Sequence, residues 1–211
     1  MTACSTPRPY LAADRRKALI VEAAVALAAR REPAAVTTAA IAREMGLTQG
    51  AVFRHFASKD DIWAAAVDWI AATLFARLDA AAQAAPTPLA ALETMFLAHA
   101  GFAADHPGVP RLIFAELQKP DPTPARAAAR GLLESYAGRV AALIEAAKAA
   151  GQAAEDVETR AAALLFVGAV QGLVMQSLLT GDPARLRGAA PQVFAVFRRA
   201  LAALLPPAQD A

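Results

Sequence analysis

The chain has little of what catalysis, metal binding or disulfide cross-linking requires. It contains one cysteine, Cys4, and three histidines among 211 residues. A single cysteine excludes an intrachain disulfide and is typical of a reducing compartment, so we expect a cytoplasmic protein. The histidines lack metal-ligand spacing, and the sequence shows no nucleophile–base pairing or glycine-rich phosphate loop. We therefore expect no enzymatic activity, no metal and no cofactor.

Residues that favour strands are also scarce. Aromatic residues make up 6% of the chain and β-branched residues are sparse, whereas alanine, leucine and arginine are abundant. Because these abundant residues are good helix formers, the composition predicts an all-α fold. Proline and glycine between the apolar helical stretches divide the chain into about nine helices.

The sequence offers weak grounds for a membrane protein. The first dozen residues lack an apolar core, so we expect no signal peptide. Residues 161–179 carry no charge over a length close to that of a membrane span. Gln171, Gln176 and Ser177 interrupt this stretch, and much of the remainder is alanine and glycine. We interpret it as a buried helix at a subunit interface and expect no membrane contact.

Three closely spaced helix starts are the most informative feature that is present. Thr37, Thr48 and Ser58 each stand where a side-chain oxygen can cap a new helix. Gly46 lies between the first two starts and suits the left-handed backbone of a tight turn. Apolar residues bracket each start at hydrophobic-staple spacing: Val36 with Ile41, Leu47 with Val52, and Ala57 with Ile62. This pattern predicts a helix-turn-helix and therefore a DNA-binding protein.

The charge distribution supports a division into two parts. The first 60 residues carry nine Lys or Arg against five Asp or Glu, whereas the rest of the chain is slightly acidic. A basic front end is expected of a module that faces phosphates. We predict a helix-turn-helix domain over residues 1–57, with a flexible arm at residues 1–12, and a second helical domain over residues 58–211.

The order and spacing of these residues resemble the tetracycline-repressor (TetR) family of bacterial regulators. The resemblance covers mainly residues 14–65. It is carried by Ile20, Ala23-Ala24, Val36-Thr37, Ile41-Ala42, Gly46-Leu47-Thr48-x-Gly50, Phe53-x-His55-Phe56 and Ser58-Lys59-Asp60. The resemblance implies a homodimeric repressor that binds a palindromic operator and is released by a small-molecule effector. The family commonly has a tyrosine where this chain has Phe53, which lacks the phosphate-binding hydroxyl.

The candidate DNA contacts fall into two groups. The predicted groove-facing residues are Thr48, Gln49, Gly50, Ala51 and Arg54. Gln49 suits adenine, Arg54 suits guanine or a phosphate, and Ala51 can touch a thymine methyl group.

The expected contacts to the DNA backbone flank that group. Lys59 lies in the first turn of a helix, where the ammonium and the helix N-terminus can bind a phosphate together; otherwise it is an exposed lysine offset by neighbouring aspartates. The resemblance also makes His55 a phosphate contact, although a half-buried histidine bonded to a carbonyl fits the sequence too. Thr37 and Thr38 are expected to contact phosphate across the groove, and Phe53 completes the predicted set.

The second domain is predicted to bind the effector and to dimerise. An apolar pocket among helices 4 to 7 is expected to be lined by Met95, Phe96, His99, Phe102, Phe114 and Tyr136, with Glu116 or Gln118 as further polar candidates. Its apolar character suggests a lipophilic effector, although a plain core has the same pattern. The predicted dimer interface consists of Leu165, Gly168, Gly172, Met175, Phe194, Phe197 and Leu201. The alternative function is an effector-independent or architectural DNA-binding protein.

Overall fold

A computed structural model describes residues 13–202, and that stretch contains nine α-helices, one 3-10 turn and no strand. The helices are α1 (Ala13–Arg30), α2 (Thr38–Glu44), α3 (Gln49–Phe53), α4 (Lys59–Gln83), α5 (Pro88–Asp105), α6 (Gly108–Gln118), α7 (Pro124–Ala149), α8 (Thr159–Thr180) and α9 (Ala184–Ala202); the 3-10 turn spans Pro33–Ala35. The predicted all-α fold is confirmed. The predicted arm at residues 1–12 lies outside the described part of the chain.

Side-chain caps set the starts of α2, α3 and α4. The hydroxyl of Thr37 accepts a hydrogen bond from the Ala40 amide at 3.1 Å. Thr48 and Ser58 accept equivalent bonds, three residues along the chain, at 3.3 and 3.1 Å. Each bond satisfies a donor that a helix start leaves unpaired. Gly46 has a φ of 62°, which a residue with a side chain rarely adopts. These local interactions build the helix-turn-helix.

The ninth helix begins earlier than the sequence predicts. The sequence pattern predicts a start at about Pro191, but the helix starts at Ala184 and contains Pro191 in its interior. A proline there removes one backbone hydrogen bond and costs about 3 kcal/mol. Burial of Leu186 before it and of Phe194 after it offsets that cost, because both side chains enter the core.

Helix α4 belongs to the core of both halves of the molecule. Its N-terminal half buries Ile62 and Trp63, and it packs against α1 of the DNA-binding half. Its C-terminal half buries Leu74 and Leu78, and it packs against α5 and α7. The buried residues form one hydrophobic cluster from α1 to α9. The two predicted domains therefore share a core through α4.

A backbone-to-backbone contact joins α6 to α1. A Cβ atom built on Gly108, the first residue of α6, would lie 2.1 Å from the Val25 carbonyl oxygen and 2.8 Å from the Ala29 nitrogen. Both atoms are backbone, so no side-chain rotation relieves the overlap. The first turn of α6 approaches α1 this closely only because residue 108 has no side chain.

We expect Gly108→Ala to destabilise the protein by about 1–3 kcal/mol, because the added methyl group forces α6 away from α1. Urea unfolding followed by circular dichroism measures this change. Gly131→Ala is the matched control, since a Cβ there meets nothing within 4 Å. Removing that glycine from the interior of α7 should stabilise the helix by up to about 1 kcal/mol. Equal effects of the two substitutions would contradict the proposed contact.

Candidate DNA-binding surface and effector cavity

The first turn of α3 and the residues after its end form an exposed surface. Thr48, Gln49, Gly50 and Arg54 are exposed, whereas Val52 is buried beneath them. Thr37, which caps α2, is exposed as well. Ala51 and His55 are half-buried, and Phe53 keeps 47% of its surface exposed. The structure thus places most of the predicted DNA contacts on the helix-turn-helix surface. Which DNA groups they meet stays a prediction.

Thr38 differs from its predicted role. Its side chain is only 8% exposed, and its hydroxyl accepts a hydrogen bond from the Gln49 side-chain nitrogen at 2.8 Å. The expectation that Thr38 contacts phosphate directly is not supported by this burial. Thr38 instead holds the amide of Gln49. Its spacing of three and four residues from the buried Ile41 and Ala42 was the sequence signal for burial.

Lys59 is tied to the start of the helix-turn-helix. Its ammonium nitrogen donates a hydrogen bond to the Ala34 carbonyl oxygen at 2.8 Å and lies 6.0 Å from the centre of the Trp63 ring. Burial, followed by repulsion from Lys119, lowers the pKa of Lys59. An ammonium group has three donors, and the Ala34 bond uses one. The phosphate contact remains a prediction that this geometry permits.

An ion pair between the buried Glu116 and the half-buried Lys119 lies beside Lys59 and connects α6 to α4. Glu116 is 1% exposed, and its carboxylate meets the Lys119 ammonium at 2.8 Å. Lys119 also approaches the carboxylate of Asp60 to 3.7 Å, and the Thr123 hydroxyl donates to Glu116 at 3.3 Å. Glu116 is therefore a structural anchor and does not line the predicted pocket. Lys119 was not predicted from the sequence, although its i, i+3 spacing from Glu116 is a signal for a pair.

An apolar cavity of about 60 Å³ lies within the second domain, walled by parts of α4, α5, α6, α7 and α8. Four of the predicted residues line it: His99, Phe102, Phe114 and Tyr136. Met95 and Phe96 are buried on α5 but do not line this cavity. Phe96 packs edge-on against Phe166, with ring centres 5.1 Å apart. Gln171 lines the cavity and was not predicted as a pocket residue.

His99 and Tyr136 form a polar pair in the cavity wall. The Nδ1 atom of His99 and the hydroxyl of Tyr136 are 3.0 Å apart, a hydrogen bond whose donor depends on the histidine tautomer. Burial lowers the pKa of His99 to about 4 and raises the pKa of Tyr136. Both groups are therefore uncharged near pH 7.

The outer face of α8 is apolar and exposed. Leu165 and Met175 are 54% and 39% exposed, and Gly168 and Gly172 lie between them on the same face. The helix is long and apolar enough to cross a membrane by length and composition alone, but 39% of its most apolar window is buried in the protein. The buried side packs against α7 and α9.

The predicted interface residues of α9 lie elsewhere. Phe194, Phe197 and Leu201 are at most 3% exposed, and the two phenylalanines pack against Phe166 of the same subunit. The prediction that they face a partner is wrong, because α9 turns this face toward the core. Val196, which is 67% exposed, lies on its outer side.

An exposed helix-turn-helix joined through a shared helix to a body with an apolar cavity is the arrangement of a DNA-binding transcription regulator. Two family models match the chain: bacterial regulatory proteins of the tetR family over residues 20–66, and the tetracyclin repressor-like C-terminal domain over residues 115–193. The chain belongs to the TetR family, as its sequence pattern predicted.

Curated relatives match part of the chain. The nucleoid occlusion factor SlmA of Marinomonas sp. is 31% identical over 101 residues, which is 48% of this chain and 51% of the relative. The SlmA protein of Alteromonas mediterranea is 27% identical over 105 residues, which is 50% of this chain and 54% of the relative. The chain thus spans about half the length of these relatives.

Solved structures share the fold over most of the chain. The fatty acid degradation regulator FadR of Bacillus halodurans superposes with a TM-score of 0.79 at 16% identity, over 90% of this chain and 97% of that chain. A TetR-family regulator from Agrobacterium tumefaciens superposes with a TM-score of 0.76 at 22% identity, over 89% of this chain and 98% of that chain. FadR of Bacillus subtilis in complex with stearoyl-CoA superposes with a TM-score of 0.76 at 17% identity, over 85% of this chain and 96% of that chain. At these identities the likeness concerns the fold alone.

We expect the stability of the protein to fall as the pH is lowered from about 7 to about 4.5, in part through His99. Below its ordinary pKa of 6.5 the unfolded chain binds a proton at this residue, whereas the folded chain does not bind it until about pH 4. This proton binding lowers the free energy of unfolding by about 2 kcal/mol. The His99→Leu variant should lack this contribution to the pH dependence. Urea unfolding should therefore show a difference in free energy of unfolding between wild type and variant that changes with pH. A constant difference would contradict the depressed pKa.

Proposed function

We propose that the protein is a cytoplasmic transcriptional repressor that binds a palindromic operator as a homodimer and is released by a small-molecule effector. The observation that carries this proposal is the position of α6. One side of α6 lines the cavity; its first turn contacts α1, and Lys119, just past its last turn, contacts Asp60 at the start of α4, which packs on α1.

The proposed operator contacts use the exposed surface of the helix-turn-helix. Gln49 and Arg54 read base edges in the major groove, and the Thr38 hydroxyl fixes the orientation of Gln49. Thr37, His55 and Lys59 contact phosphates at the rim of the groove. Thr48, Gly50 and Ala51 allow close approach of the α3 backbone, because their side chains are small.

The proposed dimer surface is the outer face of α8 together with Val196 of α9. Exposed leucine and methionine side chains flank Gly168 and Gly172, so that a second copy of the helix can approach closely at the glycines. Leu164 and Leu179, each 72% exposed, extend the apolar face along the helix. Burial of such a face against its symmetry mate is the usual way in which a two-fold interface removes it from water.

The proposed switch is an outward shift of α6. Val109, Pro110, Ile113 and Phe114 of α6 line the cavity, whose 60 Å³ is far below the roughly 300 Å³ at which small-molecule sites begin. A bound effector must therefore enlarge the cavity. Because Gly108 contacts α1 and Lys119 contacts α4, a displaced α6 moves the DNA-binding half with it. The effector favours the displaced state only if it binds that state more tightly.

A second candidate function is DNA binding without an effector. The curated relatives named as nucleoid occlusion factors favour this alternative. The small size of the cavity is compatible with it as well, since a site that never opens holds no ligand. Effector-dependent release of DNA separates the two candidates.

We expect the purified protein to protect a two-fold symmetric site in the DNA that flanks its own gene. Lys59→Ala should weaken binding about tenfold and reduce the slope of log affinity against log salt by about one, since one phosphate contact is lost. DNase footprinting and salt titration measure both effects. Arg198→Ala, which removes an exposed charge from α9, is the control and should change neither. Salt-sensitive binding without a protected site would favour the second candidate.

We expect Leu165→Glu to convert a dimer into monomers, because the substitution places a charge in the centre of the apolar face of α8. Analytical ultracentrifugation should show half the wild-type mass, with an unchanged helical signal in circular dichroism. Ala142→Glu adds the same charge to an exposed position of α7 and should leave the mass unchanged. A Leu165→Glu variant that keeps the wild-type mass would contradict the proposed surface.

A further inference from the structure

The cavity wall contains no group that carries a charge at neutral pH. Of the fifteen side chains that line it, twelve are apolar, and the other three are those of His99, Tyr136 and Gln171. No lysine, arginine, aspartate or glutamate of the described residues belongs to the wall. The buried carboxylate of Glu116 lies on α6 as well, but its partners are Lys119 and Thr123, outside the cavity.

The three polar side chains offer hydrogen bonds to a neutral ligand. A neutral histidine ring has one donor and one acceptor nitrogen, a tyrosine hydroxyl can donate and accept, and a glutamine amide does both. The His99–Tyr136 bond reverses its direction when the histidine tautomer changes. The pair can therefore present either a donor or an acceptor to the ligand without ionising.

We propose that the effector is an uncharged, largely apolar molecule with a single hydroxyl or carbonyl group, which hydrogen-bonds to the His99–Tyr136 pair. The inference rests on the proposed function in one respect, which is that the cavity is the effector site. The apolar wall binds the body of the molecule, and the polar pair recognises its one polar atom.

The same wall discriminates against charged ligands. A carboxylate or an ammonium group loses its hydration in an apolar site. The free energy lost is compensated only by an opposite charge or by several hydrogen bonds. The wall supplies no opposite charge. Burial also keeps His99 neutral down to a pKa of about 4 and keeps the Tyr136 hydroxyl protonated, so neither residue becomes a counter-ion near pH 7.

The test compares three probes that share one alkyl chain: 1-octanol, octanoate and octylammonium. Isothermal titration calorimetry of the full-length protein at about pH 7.5 measures their dissociation constants without DNA. We expect 1-octanol to bind at least about tenfold more tightly than either ion. Equal or tighter binding of octanoate or octylammonium overturns the proposal, and so does the absence of binding by all three.

Two variants test the role of the polar pair. Tyr136→Phe keeps the ring and removes the hydroxyl. It should raise the dissociation constant of 1-octanol about three- to tenfold, as expected for the loss of one net hydrogen bond. Phe114→Leu changes the apolar wall alone and is the matched control: it should leave the preference for the alcohol over octanoate intact. A Tyr136→Phe variant that binds 1-octanol as tightly as the wild type overturns the assignment of the pair.

Operator release is measured separately with the same probes and the footprinted DNA. Tight binding of 1-octanol without release supports the chemistry inferred for the cavity and contradicts its role as the effector site. Release by octanoate with no binding of 1-octanol has the opposite meaning, since the repressor function then stands and the inferred ligand class fails.

Discussion

The buried face of α4 is the contact on which both halves of the molecule depend. Ile62 and Trp63 complete the core beneath the helix-turn-helix, and Leu74 and Leu78 on the same helix complete the core of the body. The DNA-binding half depends on this helix most, because α2 and α3 are only seven and five residues long. Helices this short are marginal by themselves and gain most of their stability from tertiary packing.

Helix α6 couples the cavity to that shared core through its two ends. Gly108 holds its first turn against the backbone of α1, and Lys119, just past its last residue, bridges the buried Glu116 and Asp60 of α4. The first attachment depends on steric fit and the second on charge. An effector that displaces α6 must strain one of them, so the energy of cavity expansion is transmitted to the DNA-binding half. This two-point attachment is the physical basis of the proposed switch.

Interactions between residues close in sequence were predicted correctly, whereas several contacts between distant helices were not. The caps at Thr37, Thr48 and Ser58 involve residues three apart, and their sequence pattern predicted the helix-turn-helix correctly. Helices α5 and α8 are apolar on more than one side, so periodicity alone did not tell which side faces a cavity, a partner or the core. For that reason Met95 and Phe96 were assigned to the pocket, although they do not line the cavity. The buried phenylalanines of α9 were misplaced because they pack on Phe166 of α8. Their positions follow from packing between helices distant in sequence.

The closed state of the cavity has a consequence for the timing of the response. Because 60 Å³ admits no drug-sized molecule, an effector binds only after the walls have separated. At high effector concentration the association rate then reaches a ceiling set by the opening rate of the cavity. The apparent affinity is also reduced by the fraction of time that the cavity spends open. In the proposed switch, side chains that pack the cavity walls, such as Ile113 and Leu133, would therefore set how quickly the regulator responds as well as what it binds.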